Sequence, residues 1–295
     1  MPLPADIQMD LHPKVTPFFD AQSNTIAYVV QEPGGPACVA IDAVMNFDAA
    51  AGRLTSECAD AMIAHIEGAD LQLEWIIETH VHADHLSGAP YLQERLGGKI
   101  GIGAQITTVQ ETFGKVFNEG TAFQRDGSQF DALFTDGDTY HVGAMPCTAL
   151  HTPGHTPACM VHIMGDAVFA GDTLFMPDGG SARADFPGGD AGQLYDSIQR
   201  VLALPDEMRL FVCHDYGPGG RAIAWETTIA EQRAANIHVG DGASREAFVA
   251  MREARYAQLA MPKLILPALQ VNMRAGDVPE DDAGNMVLKI PVNRI

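Results

Sequence analysis

The sequence is short of basic residues and of long apolar stretches. Lysine and arginine together number 18 against 38 acidic residues, and the formal net charge of the 295-residue chain is −20. Such a surface repels a phosphate backbone, so we expect no nucleic-acid partner. Hydrophobic residues make up 46% and charged residues 19%. These proportions are typical of a globular protein and exclude wholesale disorder.

Membrane, export and disulfide signals are also missing. No apolar run reaches the ~18 residues that a membrane-spanning helix needs. Residues 1–6 contain neither a basic stretch nor the start of an apolar leader, so we expect a cytoplasmic protein with no membrane partner. The five cysteines are scattered and form no C-x-x-C pair. We therefore expect them to be reduced thiols in the core.

Short apolar strands alternate with amphipathic helices through most of the chain. A Gly-Gly-Pro turn between residues 25–30 and 37–41 predicts a hairpin. Residues 71–79 predict a buried strand, and their flanks predict helices at 55–67 and 86–96. The remaining strands are predicted at 99–106, 140–150, 159–163, 167–170 and 210–213. This alternation is typical of a layered α/β protein.

The chain changes character near its carboxy-terminal end. Two amphipathic helices are predicted at 227–237 and 244–259, and the tail 276–295 is irregular. No repeat of fixed period and no low-complexity linker is visible. We therefore expect a catalytic domain over residues 1–220 and a helical carboxy-terminal extension over 221–295, packed on the same domain.

The densest chemical signal is the segment T-H-V-H-A-D-H at residues 79–85, at the end of a predicted buried strand. It contains four candidate metal ligands: His80, His82, Asp84 and His85. Imidazole and carboxylate are the groups that bind Zn²⁺ and Fe²⁺ in proteins. A turn from strand to helix can direct these side chains into one space. The segment therefore predicts a metal site.

Three further candidates each follow an apolar strand. They are His155, Asp172 and His214. A single histidine at the end of a strand is more often structural. All three, however, follow the same rule as the 79–85 segment, and a metal site at one edge of a sheet requires ligands in such positions. A structural zinc site would instead be closed and rich in thiolates.

The order of these motifs resembles the metallo-β-lactamase superfamily over roughly residues 24–216. The resemblance implies an α/β fold, an αββα four-layer sandwich with a metal site at the shared edge of its two sheets. In two-metal members, one metal is held by the positions that match His80, His82 and His155. The other is held by those that match Asp84, His85 and His214, and the position of Asp172 bridges.

Residues 179–190, and the stretches 225–238 and 264–272, resemble the persulfide dioxygenase branch and its bacterial β-lactamase hydrolase-like relatives. That resemblance implies oxidation of glutathione persulfide with O₂ to glutathione and sulfite. It implies one Fe(II) per chain on His82, His155 and Asp172. The other four candidates, His80, Asp84, His85 and His214, would surround the iron or form a second site. A sulfurtransferase partner is implied by analogy, and a homodimer is left open.

A glyoxalase II-like dizinc hydroxyacylglutathione thioester hydrolase is the alternative function. Every ligand type of a two-metal site is present, so counting ligands does not separate one iron from two zincs. The basic glutathione-binding stretch near the carboxy terminus of glyoxalase II is not evident, and this ranks the alternative second. A secreted β-lactamase would need an export signal, and a nuclease would fit poorly with the net charge.

Three residues are candidates for contact with the substrate. Arg183 can form a bidentate pair with a substrate carboxylate, or a structural salt bridge with Asp185 or Asp190. Tyr195 can contact the substrate or pack on the core from a helix face. Tyr216 is a similar and weaker candidate.

Overall fold

The computed structural model describes residues 7–294. Residues 1–6, where no leader is expected, lie outside the described residues. The strands, in chain order, are β1 (Lys14–Asp20), β2 (Thr25–Gln31), β3 (Ala37–Ile41), β4 (Val44–Asp48), β5 (Arg53–Thr55), β6 (Gln72–Ile77), β7 (Leu86–Ser87), β8 (Lys99–Gly103), β9 (Ala132–Phe134), β10 (Thr139–Val142), β11 (Met145–His151), β12 (Met160–Met164), β13 (Ala167–Phe169), β14 (Arg209–Phe211) and β15 (Glu226–Thr228).

The helices fall mostly between strands of the amino-terminal half and near the carboxy-terminal end. They are α1 (Glu57–Gly68), α2 (Ala89–Leu96), α3 (Ile106–Val116), α4 (Ala191–Leu202), α5 (Ile229–Ala235), α6 (Arg245–Tyr256) and α7 (Ile265–Asn272). Within the described residues, none of these helices combines the length and apolarity that a membrane crossing requires.

Two six-stranded mixed sheets form the body of the molecule. The first has the order β1-β2-β3-β6-β8-β9 and the second the order β10-β11-β12-β13-β14-β15. Strands β3, β6, β8 and β9 run parallel to one another. A small sheet, β5-β4-β7, lies beside them. The mixed pairing brings the carboxyl ends of several strands to one edge of the molecule, where a site can be assembled.

The core fills the space between the sheets and the two outer helix layers. Inward side chains of β2 and β3, such as Ile26 and Val39, share one cluster with Phe169 and Phe211 of the second sheet and with Leu194 of α4. The opposite faces of β2 and β3 pack in a second cluster with α1, α2 and α3. This is the four-layer αββα arrangement, and the predicted fold class is confirmed. All five cysteines are free and buried, as expected.

Several element bounds differ from the sequence prediction for local reasons. The helix predicted at 86–96 begins only at Ala89, because Leu86 and Ser87 pair with β4. The strand predicted at 140–150 is a hairpin of β10 and β11, turned at Gly143 with a φ of +57°. The amide after this glycine, that of Ala144, donates to the Glu32 carboxylate at 2.7 Å.

Helix α3 is absent from the sequence prediction, which assigns a strand up to residue 106. Its sequence is rich in β-branched residues, which favour strands. Its buried residues Ile106, Val109 and Phe113 nevertheless recur at helical spacing. Helices α4 and α7 are also additional to the prediction.

The region after residue 220 is helical, as expected, but it begins with a strand. Strand β15 pairs antiparallel with β14 and so completes the second sheet. The carboxy-terminal extension therefore shares hydrogen bonds with the second sheet as well as packing on it. A domain boundary at residue 220 stays a prediction.

Candidate metal centre

The sequence-predicted ligands meet at one edge of the two sheets. The loop 78–85 leaves the end of β6, His155 follows β11, Asp172 follows β13, and His214 follows β14. Each side chain is buried except that of Asp84, which is partly exposed. The rule used on the sequence, a polar residue just after an apolar strand, therefore locates the site correctly.

Asp42 holds the start of the ligand loop in place. It follows β3 and accepts hydrogen bonds from the backbone amide of Thr79 at 2.7 Å and from the Thr79 hydroxyl at 2.8 Å. Its own φ is +51°, a conformation that few residues other than glycine adopt and that aspartate tolerates better than most. The two hydrogen bonds from Thr79 offset the cost of this backbone conformation. They also fix the direction in which the chain enters the metal loop.

Donor atoms approach one another within 4.8 Å in four groups of three among the described residues. One group unites His80, His155 and Asp172, from three separate loops. The other three groups all contain His82. Its partners are Asp84 with His85 in one, Cys213 with His214 in the next, and Asp42 with Glu78 in the last.

Asp172 lies at the centre of the cluster. Its Oδ2 lies 3.4 Å from Nε2 of His155 and 3.9 Å from Nε2 of His80. Its other oxygen, Oδ1, lies 3.4 Å from Nε2 of His214. Nε2 of His214 lies 3.6 Å from Oδ2 of Asp84. Asp172 is therefore placed to contact one cation beside His80 and His155, or to bridge two.

The predicted triad of His82, His155 and Asp172 stays a prediction. In the structure, the first-motif histidine grouped with His155 and Asp172 is His80. His82 instead contacts a pair of buried carboxylates. Nε2 of His82 lies 3.0 Å from Asp42 Oδ1 and 3.5 Å from Glu78 Oε2. These contacts involve Nε2 of His82 and leave its Nδ1 without a hydrogen-bond partner among the described residues.

Two backbone carbonyls fix the orientation of the outer histidines. Nδ1 of His155 lies 2.6 Å from the carbonyl oxygen of Arg183, and Nδ1 of His214 lies 3.2 Å from that of Asn24. A carbonyl only accepts, so each ring donates from Nδ1. The lone pair of each ring is then on Nε2, which faces Asp172. Such partners are the usual means of fixing a metal-binding histidine.

The residues present fit a bound cation. Several fully buried polar atoms at this site have no hydrogen-bond partner in the described structure: Nε2 of His80, Nδ1 of His82, Nε2 of His85 and Oδ1 of Asp172. Buried polar atoms are normally satisfied, because leaving one unpaired is costly. All four are atoms that bind metals. A cation is the simplest partner for them.

Burial also determines the protonation of the first motif. It lowers the pKa of His80 well below the ordinary value, and the neighbouring rings of His82 and His155 lower it further. Burial acts in the same direction on His82, but Asp42 and Glu78 outweigh it and raise the pKa of His82 to about 10. His80 is therefore neutral, as a metal ligand must be, whereas His82 interacts mainly with Asp42.

Asp42 and Glu78 are functional candidates that the sequence analysis misses. Both are buried, and each directly follows an apolar strand, β3 or β6. The rule that identified His155 and His214 would have found them too. Burial raises the pKa of Glu78 to about 8. Its Oε1 accepts a hydrogen bond of 2.7 Å from the Ser87 hydroxyl.

A cavity of about 1050 Å³ opens onto the cluster. Asp84, His155, Asp172 and His214 form part of its wall, so a substrate in it would reach the candidate metal position. A volume of this order is typical of pockets that bind small molecules.

The three substrate-contact candidates have different positions. Arg183 lines the cavity, and both halves of its guanidinium pair with Asp185, at 2.6 and 2.7 Å. Tyr216 also lines the cavity and is 61% exposed. The Tyr195 hydroxyl donates to the carbonyl of Ala243 at 2.8 Å, and its ring packs against Phe248. These contacts favour the structural role considered for it, and contact with the substrate stays a prediction.

Three basic residues of the carboxy-terminal extension line the same cavity: Arg252, Arg255 and Lys263. Arg252 is buried, and its guanidinium donates to the carbonyl of Ala182 at 2.9 Å and approaches His238 at 3.4 Å. Among the described side chains, no carboxylate lies within ion-pair distance of these three. These three residues are dispersed in sequence and come together only in the fold, so they do not form a basic stretch of the kind sought in the sequence.

Comparison with known proteins identifies relatives over nearly the whole chain. A model described as the metallo-beta-lactamase superfamily matches residues 22–214. A probable metallo-hydrolase of Burkholderia pseudomallei is 51% identical over 94% of this chain and 98% of its own length. Glyoxylase B2 of Dictyostelium discoideum is 44% identical over 95% of this chain and 97% of its own. A beta-lactamase hydrolase-like protein of Xylella fastidiosa is 48% identical over 96% of this chain, which spans 65% of that protein's length.

Two further matches bear the name ETHE1. Human mitochondrial persulfide dioxygenase ETHE1 is 27% identical over 88% of this chain and 87% of its own length. The crystal structure of ETHE1 from Myxococcus xanthus superposes with a TM-score of 0.71 at 31% identity, over 90% of this chain and 100% of that one. The names of these relatives divide between hydrolase and dioxygenase chemistry.

Proposed function

The chain belongs to the metallo-β-lactamase superfamily, and on that basis we propose that it is an iron-dependent dioxygenase of small-molecule thiol persulfides. The observation that carries the proposal is the convergence of His80, His155 and Asp172 within 4.8 Å. Two histidines and one carboxylate are the ligand set of non-haem Fe(II) oxygenases. We propose these three residues as the iron ligands, with Fe(II) at one per chain.

Bound Fe(II) would supply a centre with open positions, at which the substrate sulfur and O₂ are held side by side. The chain itself positions the ligands. The Arg183 carbonyl orients His155, while His214 and Asp84 line the other side of Asp172. Phe186 packs against the His155 ring and so helps to fix the orientation of this ligand.

The proposed reaction balances without a further oxidant. The persulfide RSSH, one O₂ and one H₂O give the thiol RSH, sulfite and two protons. The sulfur–sulfur bond breaks, and three oxygen atoms end on the terminal sulfur. That sulfur is oxidised, O₂ is reduced, and no protein nucleophile is required. The thiol leaves with one proton, and two protons pass to solvent.

The cavity supports an anionic thiol as the carrier of the persulfide. The protein has a net charge of −20, yet Arg252, Arg255 and Lys263 concentrate positive charge on the wall of this cavity. Guanidinium and ammonium groups bind carboxylates through charge-assisted hydrogen bonds. We therefore propose a carboxylate-bearing thiol such as glutathione, with its carboxylates toward these residues and its sulfur toward Asp172.

A dizinc thioester hydrolase is the second candidate. The second donor set, His82 with Asp84 and His85, favours it, as do the relatives named as a hydrolase and a glyoxylase. The basic cavity wall fits a glutathione thioester as well as a persulfide. We rank the dioxygenase first because the group of His80, His155 and Asp172 matches the two-histidine, one-carboxylate ligand set of non-haem iron.

Metal stoichiometry separates the two candidates. Metal-free protein is titrated anaerobically with Fe(II), and in parallel with Zn(II), and the bound metal is counted per chain. The dioxygenase proposal expects tight binding of one iron and a persulfide-dependent uptake of O₂. Two tightly bound zincs, together with hydrolysis of S-lactoylglutathione and no O₂ uptake, would support the hydrolase instead. A cytoplasmic location, a homodimer and a sulfurtransferase partner stay predictions.

A further inference from the structure

We propose that Asn272, the last residue of α7, is a positioning residue for the metal centre, because its side-chain amide holds the backbone of the ligand loop 80–85. The inference rests on the metal site of the proposed function but not on the reaction carried out there. It gives a role to a segment of the carboxy-terminal extension that lies beyond residues 22–214, which match the family model.

The Asn272 side chain makes three hydrogen bonds, two with the metal loop and one with strand β7, which follows the loop. Its Nδ2 donates to the carbonyl of His82 at 2.9 Å and to that of His85 at 2.8 Å. Its Oδ1 accepts from the amide of Ser87 at 2.8 Å. A carboxamide has two donor hydrogens and one acceptor oxygen. Every hydrogen-bonding group of this side chain is therefore directed at the loop or at β7.

The two carbonyls belong to candidate metal-binding residues. The loop between β6 and β7 is irregular, so its backbone groups depend on partners from elsewhere in the fold. Asn272 joins the carbonyls of His82 and His85 through one nitrogen and so sets the distance between these two residues. Their rings lie 4.2 Å apart, centroid to centroid. Movement of either carbonyl would displace an imidazole at the site.

Helix α7 is itself anchored, so that Asn272 is a fixed point. Val271 and Ala268 pack with Phe47 and Leu86 in a small apolar cluster. The carbonyl of Met273 accepts a hydrogen bond of 2.9 Å from the buried Gln110. Asn272 is 3% exposed. The amide therefore has little freedom to follow the loop if the loop moves.

An aspartate at this position would keep the shape of the side chain but would replace the donor nitrogen with an oxygen. Its second oxygen would face two carbonyl oxygens at hydrogen-bond distance, where Nδ2 now donates. Loss of attraction and new repulsion would shift the loop that carries His80, His82 and His85 from its present position. A serine would remove the bonds to the loop without adding a charge.

Gln270 provides a matched control on the same helix. It is fully buried and makes the same pattern of three bonds. Its Nε2 donates to the carbonyls of Leu266 and Lys289 at 2.8 and 2.9 Å, and its Oε1 accepts from the amide of Lys289 at 2.8 Å. Its partners are α7 and the carboxy-terminal tail, and not the metal loop. Gln270→Glu should therefore destabilise the fold by the same means without disturbing the metal ligands.

The test compares Asn272→Asp, Asn272→Ser, Gln270→Glu and wild-type protein. Metal-free samples are checked by thermal unfolding, and Co(II) is then titrated against a competing chelator while its visible ligand-field bands are recorded. We expect Asn272→Asp to weaken Co(II) binding by about 10–100-fold, the usual effect of losing an outer partner of a metal site, and to shift the bands. Gln270→Glu should lower the melting temperature and leave affinity and bands as in wild type.

Two results would overturn the proposal. One is wild-type affinity and bands in Asn272→Asp. The other is an equal loss of affinity in Gln270→Glu, which would show a general effect of destabilisation. If Asn272→Asp does not fold, the same criteria apply to Asn272→Ser. Because cobalt affinity and spectrum are measured on their own, failure of the dioxygenase proposal would leave this test unaffected.

Discussion

Nε2 of His82 lies 3.0 Å from Oδ1 of Asp42, and the two residues belong to loops that follow neighbouring parallel strands of the first sheet. Asp42 also holds Thr79 through two hydrogen bonds. One buried carboxylate therefore sets both the path of the metal loop and the direction of its second histidine. That direction leaves His80 to join His155 and Asp172.

We predict that Asp42→Asn weakens metal binding. The amide can replace only some of the hydrogen bonds of the carboxylate. It also lacks the negative charge that stabilises a proton on Nε2 of His82. The loss of an outer partner of this kind lowers metal affinity by about 10–100-fold. Isothermal titration of the metal-free variant with Zn(II) measures the effect. An affinity equal to that of wild type would show that Asp42 serves the fold alone.

The first-motif histidines should differ in their effect on iron. His80→Ala removes one of three proposed ligands, so the variant should retain almost no iron after dialysis. His82→Gln should keep more iron than His80→Ala, because His82 is not one of the three proposed iron ligands. Iron content is measured by inductively coupled plasma spectrometry on samples loaded anaerobically. The reverse ranking would restore the triad that the sequence predicts, with His82 in place of His80.

The basic wall of the cavity should determine the binding of the anionic substrate. We expect the double variant Arg255→Gln/Lys263→Gln to raise KM by about 10-fold, since a hydrogen bond to a charged group contributes about 1.5–3 kcal/mol and these side chains are exposed. The value of kcat should change little, because neither group is near the sulfur. Arg245→Gln, on the same helix but paired with Asp196, is the control. An unchanged KM in the double variant would exclude this wall as the carboxylate site.

Stability should depend on pH through His162 in the core. Burial lowers the pKa of this imidazole to about 4, against an ordinary value of about 6.5. Between these values the unfolded chain binds a proton that the folded chain does not. The free energy of unfolding should therefore fall as the pH drops from about 6.5 to 4, by up to about 1.4 kcal/mol per pH unit for this group.

Urea unfolding of metal-free protein at several pH values tests this dependence. His162→Gln should show a shallower pH slope than wild type, since its side chain does not titrate. His141→Gln, on the adjacent hairpin with an exposed ring, should keep the wild-type slope. Equal slopes in all three proteins would mean that His162 does not carry the effect.

The sequence was sufficient to predict the fold class, most strands and the edge at which the site lies. These follow from local patterns, namely apolar runs and the polar residues that end them. The choice between His80 and His82 was not accessible, because it depends on a carboxylate that contacts the loop from 40 positions away in sequence. The basic cavity wall was missed for a similar reason. Arg252, Arg255 and Lys263 show no spacing that marks them as a set, and only the packing of the carboxy-terminal extension unites them.

The same limit applies to α7 and Asn272. The helix has eight residues, and its buried positions include the polar Gln270 and Asn272, so its sequence shows no amphipathic period. Asn272 looks like an ordinary polar residue at the end of an apolar run. Its relation to the metal loop is a contact between residues about 190 positions apart, which no local pattern records.

The most direct test of the proposed function is the stoichiometry of oxygen uptake. Iron-loaded protein is mixed with glutathione persulfide in an oxygen electrode, and sulfite is measured in the same sample. We predict one O₂ consumed for each sulfite formed, with the rate abolished in His155→Ala and unchanged in Tyr195→Phe. No oxygen uptake by the iron form, together with rapid hydrolysis of S-lactoylglutathione by the zinc form, would contradict the dioxygenase account and establish the hydrolase in its place.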